Sequence, residues 1–134
     1  MVDKDLVSQI KTALEKEPGV VAAYIIGSVV TGTANNESDF DLAVVVRSRK
    51  IINEDNIYEL IRGINFPRDL DLSVVDKTSS PIFLYQIVSK GDKIYEKNSL
   101  ETVEFESFAL RNYYDTAHTR NIYHQALKER FYAG

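Results

Sequence analysis

Gly27-Ser28 closes one apolar run, and ten residues later Asp39-Phe40-Asp41 opens the next. Glycine lets a backbone approach a phosphate closely, and serine adds a hydroxyl and an amide where a helix would start. Side chains alternate along a strand, so Asp39 and Asp41 point the same way. Two carboxylates so close repel each other, and a divalent cation removes that cost. Mg²⁺ prefers such oxygen ligands shared with substrate phosphates. The pattern therefore suits gripping a nucleoside triphosphate through a metal.

A third carboxylate lies in Arg68-Asp69-Leu70-Asp71-Leu72-Ser73-Val74-Val75. Alternation puts Leu70, Leu72 and Val74 on one face and Asp69, Asp71 and Ser73 on the other. If this strand lies beside that of Asp41, one of its aspartates shares the same metal site. Asp71 stands deeper in the apolar run, where an unpaired charge is costly, whereas Asp69 also reads as part of a solvated strand face. Three carboxylates bridging two metal ions would clamp the attacking and leaving oxygens of a phosphoryl transfer.

These residues need strand ends to hold them. Leu6, Val7, Ile10, Ala13 and Leu14 follow helical spacing, which predicts an amphipathic helix over 3–17, stopped by Pro18-Gly19. Val20 to Ile26 reads as a buried strand, Ser28 to Gly32 as a short helix and Thr33 to Ser38 as a polar loop. Asp39 to Val46 is a strand covered on both faces, Arg47 to Lys50 a basic connection, 55–63 a helix and Leu70 to Val75 a third strand. Ser80-Pro81 caps a helix running to Lys90, Gly91 ends it, and Lys93 to Glu96 forms an edge strand. From about Leu100 the chain reads as one long helix with a kink around Thr116 to Thr119. Strands alternating with helices predict an α/β architecture, a small sheet with flanking helices. One domain over 1–134 is expected, with a core of about 3–98 and a helical extension of about 99–132.

Composition narrows the chemistry. The 134 residues contain no cysteine, which excludes disulfides, thiolate catalysis and zinc–thiolate sites. His118 and His124 are the only imidazoles, too few for a multi-histidine metal site and read as surface residues. A net charge of −4 opposes broad binding to nucleic acid, which relies on Lys and Arg. No signal-peptide core or membrane-length apolar run is present, so a cytoplasmic location is the expectation.

The spacing Gly27-Ser28…Asp39-Phe40-Asp41 resembles the signature of minimal nucleotidyltransferases of the DNA polymerase beta superfamily. The segments Leu70–Asp76, Phe83–Ile87, Lys90–Glu96, Glu104-Phe105-Glu106 and Ala109–Tyr113 extend the likeness over roughly residues 20–115. The resemblance implies a polymerase beta-like nucleotidyltransferase fold. It implies that Asp39 and Asp41 hold two Mg²⁺ ions and that Asp71 binds the catalytic metal and helps deprotonate an acceptor hydroxyl. Gly27 and Ser28 would hold the triphosphate of ATP. No triphosphate-binding cation carries over; Arg47, Arg49 and Lys50 are candidates by position only, and a solvated basic loop is the preferred reading.

Small members of this superfamily resemble antitoxins paired with HEPN-domain ribonuclease toxins, in which AMP passes from ATP to a toxin tyrosine. That resemblance implies a HEPN-family protein as partner. A small hydroxyl compound as acceptor, or a non-catalytic mask of the partner, are the competing readings. Among the eight tyrosines and six phenylalanines, Phe105, Phe108 and Tyr113 read as cover for the sheet. Tyr123, Phe131 and Tyr132 lie beyond the core and read as an interface. Arg111 and His118 match the spacing of a HEPN ribonuclease motif, but an α/β chain lacks the paired helices that motif needs.

Overall fold

The computed structural model describes residues 3–27 and 40–132. Helix α1 (Lys4–Leu14) is capped by Asp3, whose carboxylate accepts from the Asp5 amide, and buries Leu6, Ile10, Ala13 and Leu14. It ends three residues before the expected boundary at 17. The residue ahead of a proline is pushed out of helical geometry, and tight turn bonds from the Lys16 and Glu17 amides unwind the chain before Pro18. Strands β1 (Val20–Ile26) and β2 (Phe40–Val46) follow. Helix α2 (Glu54–Ile61) opens on a reciprocal capping box between Asn53 and Asn56, and is shorter than the expected 55–63 at its C-terminal end. Strand β3 (Leu70–Val75), helix α3 (Pro81–Lys90) with Ser80 as its cap, and strand β4 (Asp92–Glu96) complete the alternation.

The C-terminal helical stretch divides, within the expected kink, into α4 (Ser99–Asp115) and α5 (Ala117–Tyr132). The break falls on Thr116. Its hydroxyl donates back to the Asn112 and Tyr113 carbonyls, a competition that bends helices. The Arg120 guanidinium also donates to the Tyr113 carbonyl at 2.9 Å and lies 4.3 Å over the Tyr113 ring. The bend is thereby stapled from both sides.

The sheet order is β3-β2-β1-β4, with β2 and β3 parallel and the other two pairs antiparallel. Strand β2 is buried on both faces because helices cover both. Phe40, Leu42, Val44 and Val46 face a core shared with α1 and α2, whereas Ala43 and Val45 face one shared with α3 and α4. Residues Ser28 to Asp39, which contain the expected short helix and loop, lie outside the described residues. No helix among the described residues is long and apolar enough to cross a membrane.

The sheet end where β2 and β3 finish is locked by polar contacts. The buried Asp76 carboxylate accepts from the Arg49 amide at 2.8 Å and from the Thr78 amide and hydroxyl at 2.8 and 2.5 Å. Burial works against its ionisation, but the Thr78 and Arg49 donors outweigh it and hold the carboxyl below the ordinary range. Arg47 forks onto Glu101 of α4 at 2.7 and 2.9 Å. A carboxyl depressed in the folded state stabilises above its unfolded pKa and loses that contribution as pH falls through the folded value. Asp76→Asn should therefore cost about 1–3 kcal/mol at pH 7. The gap to wild type should narrow below about pH 4, near the ordinary carboxylate pKa. Urea unfolding at pH 7 and pH 3 measures both.

Candidate active site

The opposite end of the sheet brings the chemical residues together. Strand β1 runs toward it and ends at Ile26-Gly27, and β2 returns antiparallel, so Ile26 stands opposite Asp41. Strand β3 runs parallel to β2 with Asp71 opposite Asp41. Phe40 turns into the core, 2% exposed and packed on Phe66 at 5.4 Å between ring centres. With Phe40 inward, alternation sends Asp41 to the face covered by α3 and α4. Asp71 shares that face with Ser73 and Val75, and neighbouring strands lie about 4.8 Å apart. Asp41 is half-buried and Asp71 exposed. Asp69 precedes β3 by one residue, and its carbonyl accepts from the Phe40 amide at 2.7 Å. Of the two aspartates considered for the third carboxylate, Asp71 is the register partner of Asp41.

Gly27 carries a positive φ of 83°, a conformation that side chains rarely adopt. A Cβ there would also run into the Asp41 carboxylate. Main chain and carboxylate thus meet without a side chain between them. Beside them is a cleft of about 290 Å³ lined by Ile26, Gly27, Asp41, Phe83, Gln86, Ile87 and Lys90. Positions 83, 86, 87 and 90 share one face of α3 by helical spacing. Lys90 is the cation lining this cleft, and Gln86 adds an amide. Sequence reasoning missed Phe83, Gln86 and Lys90 as site residues. Their helical spacing was visible, but nothing in one dimension says which strand end that helix face overlooks.

The basic stretch does not belong here. Arg47 follows β2 at the far end of the sheet and is held by Glu101, and Arg49 pairs with Glu54 at 3.6 Å. Arg47, Arg49 and Lys50 are thus placed away from the cleft, because β2 carries the chain the full height of the sheet after Asp41. His118 and His124 are exposed, Phe105 is buried, and Tyr113 is half-buried and stacked on Tyr85 at 3.9 Å. Arg111 and His118 lie on different helices, separated by the Thr116 bend.

Ser28 and Asp39 lie outside the described residues. Among the described residues, no group of three or more His, Cys, Asp or Glu side chains could hold one ion. Asp41 and Asp71 supply two hard oxygen donors on adjacent strands of one face, a donor set suited to Mg²⁺. Gly27→Ala should cost about 1–2 kcal/mol from the left-handed backbone alone. It should also displace the Asp41 carboxylate, which a thermal melt and a crystal structure of the variant would show.

Comparison with known proteins adds an independent line. No curated protein matches the chain in sequence. In structure, it is similar to a chain of a toxin–antitoxin crystal structure with AMP-PNP, at 21% identity and a TM-score of 0.66 over 90% of this chain and 98% of that one. A second similar structure is the tri-AMPylated Shewanella oneidensis HEPN toxin in complex with an MNT antitoxin, at 18% identity and a TM-score of 0.65 over 92% of this chain and 98% of that one. Spectinomycin adenyltransferase AAD(9) from Enterococcus faecialis, with ATP and spectinomycin, matches at 19% identity and a TM-score of 0.56. That match covers 75% of this chain and 59% of the enzyme. These likenesses show that the mixed four-stranded sheet and its flanking helices form a fold shared with those chains. The profile of the Polymerase beta, Nucleotidyltransferase family matches residues 8–100, more than half of the chain, and the chain belongs to that family.

Proposed function

We propose that this chain is a Mg²⁺-dependent adenylyltransferase that moves AMP from ATP onto a tyrosine of a HEPN-family toxin, and so acts as its antitoxin. The observation that carries this reading is the row Ile26–Asp41–Asp71 at the mouth of a cleft that also holds Gly27 and Lys90. Support for the partner comes from the similar structures, which are toxin–antitoxin complexes, one with AMP-PNP and one with an AMPylated HEPN toxin.

In this reading Asp41 and Asp71, with Asp39 completing the set, hold Mg²⁺, which supplies charge neutralisation at the phosphates. The Gly27 backbone lies against the triphosphate, where a side chain would block the approach. The Lys90 ammonium pairs with a phosphate oxygen from the opposite wall. Apolar Ile26, Phe83 and Ile87 exclude water from the reacting end. Asp71, exposed on the open side, takes up the proton of the acceptor phenol as its oxygen attacks the α-phosphorus. Pyrophosphate departs. The acceptor enters from the open β3 edge of the sheet.

A small hydroxyl compound is the second reading, favoured by the likeness to the spectinomycin enzyme. This chain spans only 59% of that enzyme, however, and a small acceptor needs walls on more sides than an open sheet edge gives.

Incubation of the product of the neighbouring gene with this chain, ATP and Mg²⁺, followed by intact mass spectrometry, is the direct test. One or more AMP units should be added to a tyrosine. Asp41→Asn and Asp71→Asn should each slow the reaction at least about a hundredfold, the scale of several kcal/mol of lost charge stabilisation. Unimpaired labelling by either variant would dismiss the site. Lys90→Ala should raise the KM for ATP roughly tenfold or more with a smaller change in kcat, since a charge-assisted contact contributes about 1.5–3 kcal/mol.

A further inference from the structure

Among the described side chains, three of the eight tyrosines are exposed: Tyr58, Tyr114 and Tyr123. Tyr24 is 1% exposed and donates to Glu106 at 3.0 Å, and Tyr95 is 8% exposed. Tyr85, Tyr113 and Tyr114 pack against one another, with Tyr114 edge-on to both neighbours at 6.1 and 5.4 Å. Tyr58 lies on α2, which packs with α1 over the other face of the sheet. The Tyr132 side chain is not among those described. Tyr114 is 64% exposed but packed edge-on to two rings, and Tyr58 is 41% exposed. Tyr123 differs in its contacts: it is 63% exposed and, among the described residues, has its ring contact with His124, 6.2 Å away on its own helix.

Its helix differs as well. From Asn121 to Ala126 every residue of α5 is exposed. The Arg120 staple on Tyr113 and Thr116 sets the direction in which α5 leaves the fold. A phenol on such a helix can enter an open cleft without the rest of its fold colliding. Charge favours the encounter. α5 carries Arg120, Lys128 and Arg130 against Glu129, in a chain of net charge −4. The cleft end of the sheet carries Asp41, Asp69, Asp71 and Asp92 against Lys90 in the cleft wall, with Asp92 at the start of β4 opposite Ile25. Opposite charges on two copies steer one onto the other.

We infer that Tyr123 is a modification site: the Tyr123 phenol of one copy enters the cleft of a second copy and accepts AMP. The inference rests on the proposed adenylyltransferase reading. The Tyr123 Oη–phosphorus bond forms at the α-phosphate, the bond from that phosphorus to the bridging oxygen breaks, and pyrophosphate leaves with the electron pair. The phenolic proton passes to the Asp71 carboxylate of the copy that holds ATP. A modified α5 carries an added phosphodiester charge and no longer suits an acidic surface, so the reaction limits itself to one unit.

The test uses the full chain alone with ATP and MgCl₂, followed by intact mass and peptide mapping. One AMP unit on Tyr123 is expected, lost in Tyr123→Phe. The two variants together decide the route: Asp71→Asn, unable to label itself, should be labelled on Tyr123 only when mixed with Tyr123→Phe. An adduct on another tyrosine overturns the inference, as does labelling that stays confined to the copy holding ATP. If the product of the neighbouring gene gains AMP under the same conditions while this chain gains none, the inference fails and the adenylyltransferase reading stands. If neither gains AMP, the adenylyltransferase reading itself fails.

Discussion

Two carboxylates held side by side on neighbouring strands are the constraint around which the molecule is arranged. Left alone, Asp41 and Asp71 would repel each other, and no single strand pairing tolerates that without compensation. The parallel ladder between β2 and β3 enforces the register, and the α2 crossover enforces the ladder. Beneath the pair, Phe40 buries its ring on the opposite face against the half-buried Phe66, so that the start of β2 cannot slip by one residue without exposing Phe40. Core packing on one face thus holds like charges together on the other.

The two ends of the sheet divide the work. At the end where β2 and β3 finish, Asp76 ties two loops together and Arg47 ties β2 to α4. Those contacts stabilise and leave little room. At the other end, the left-handed Gly27 and the exposed Asp71 give up side-chain packing for access. The α3 helix links the ends. It begins just after the Asp76 loop and finishes at Lys90 over the cleft, with Leu84 and Ile87 buried along its length. Gly91 then lets the chain turn into β4, because a Cβ there would strike the Ile87 carbonyl. Stability accumulated at the locked end therefore positions a cation at the open one.

The C-terminal helices extend this logic outward. α4 is welded to the sheet by Phe105, Ala109 and the Tyr24–Glu106 hydrogen bond, where burial and the Glu106 carboxylate hold the Tyr24 phenol protonated far above its ordinary range. Beyond Thr116 the apolar pattern stops, and α5 has no face to bury. Its direction comes instead from one arginine stacked on a tyrosine. A helix so placed is available to other proteins and to other copies.

The sequence by itself determined most of the elements and singled out the candidate residues. Periodicity of two in Leu70–Val75 and the continuous apolar body of β2 marked the strands, because burial leaves a direct imprint on residue type. Gly27, Asp41 and Asp71 stood out by residue type and spacing, and the strand register brings them to one end of the sheet. The break at Thr116 fell within the expected kink, whereas the helix end at Leu14 was less legible, since it depends on local hydrogen bonds that compete with the helix over one or two residues. Tertiary structure alone decided which aspartate of β3 faces Asp41, which helix face lines the cleft, and which cations do not reach it. Those outcomes follow from strand order and register, which bring residues dozens of positions apart to one sheet end. A single chain of letters records each strand's pattern but not its neighbour.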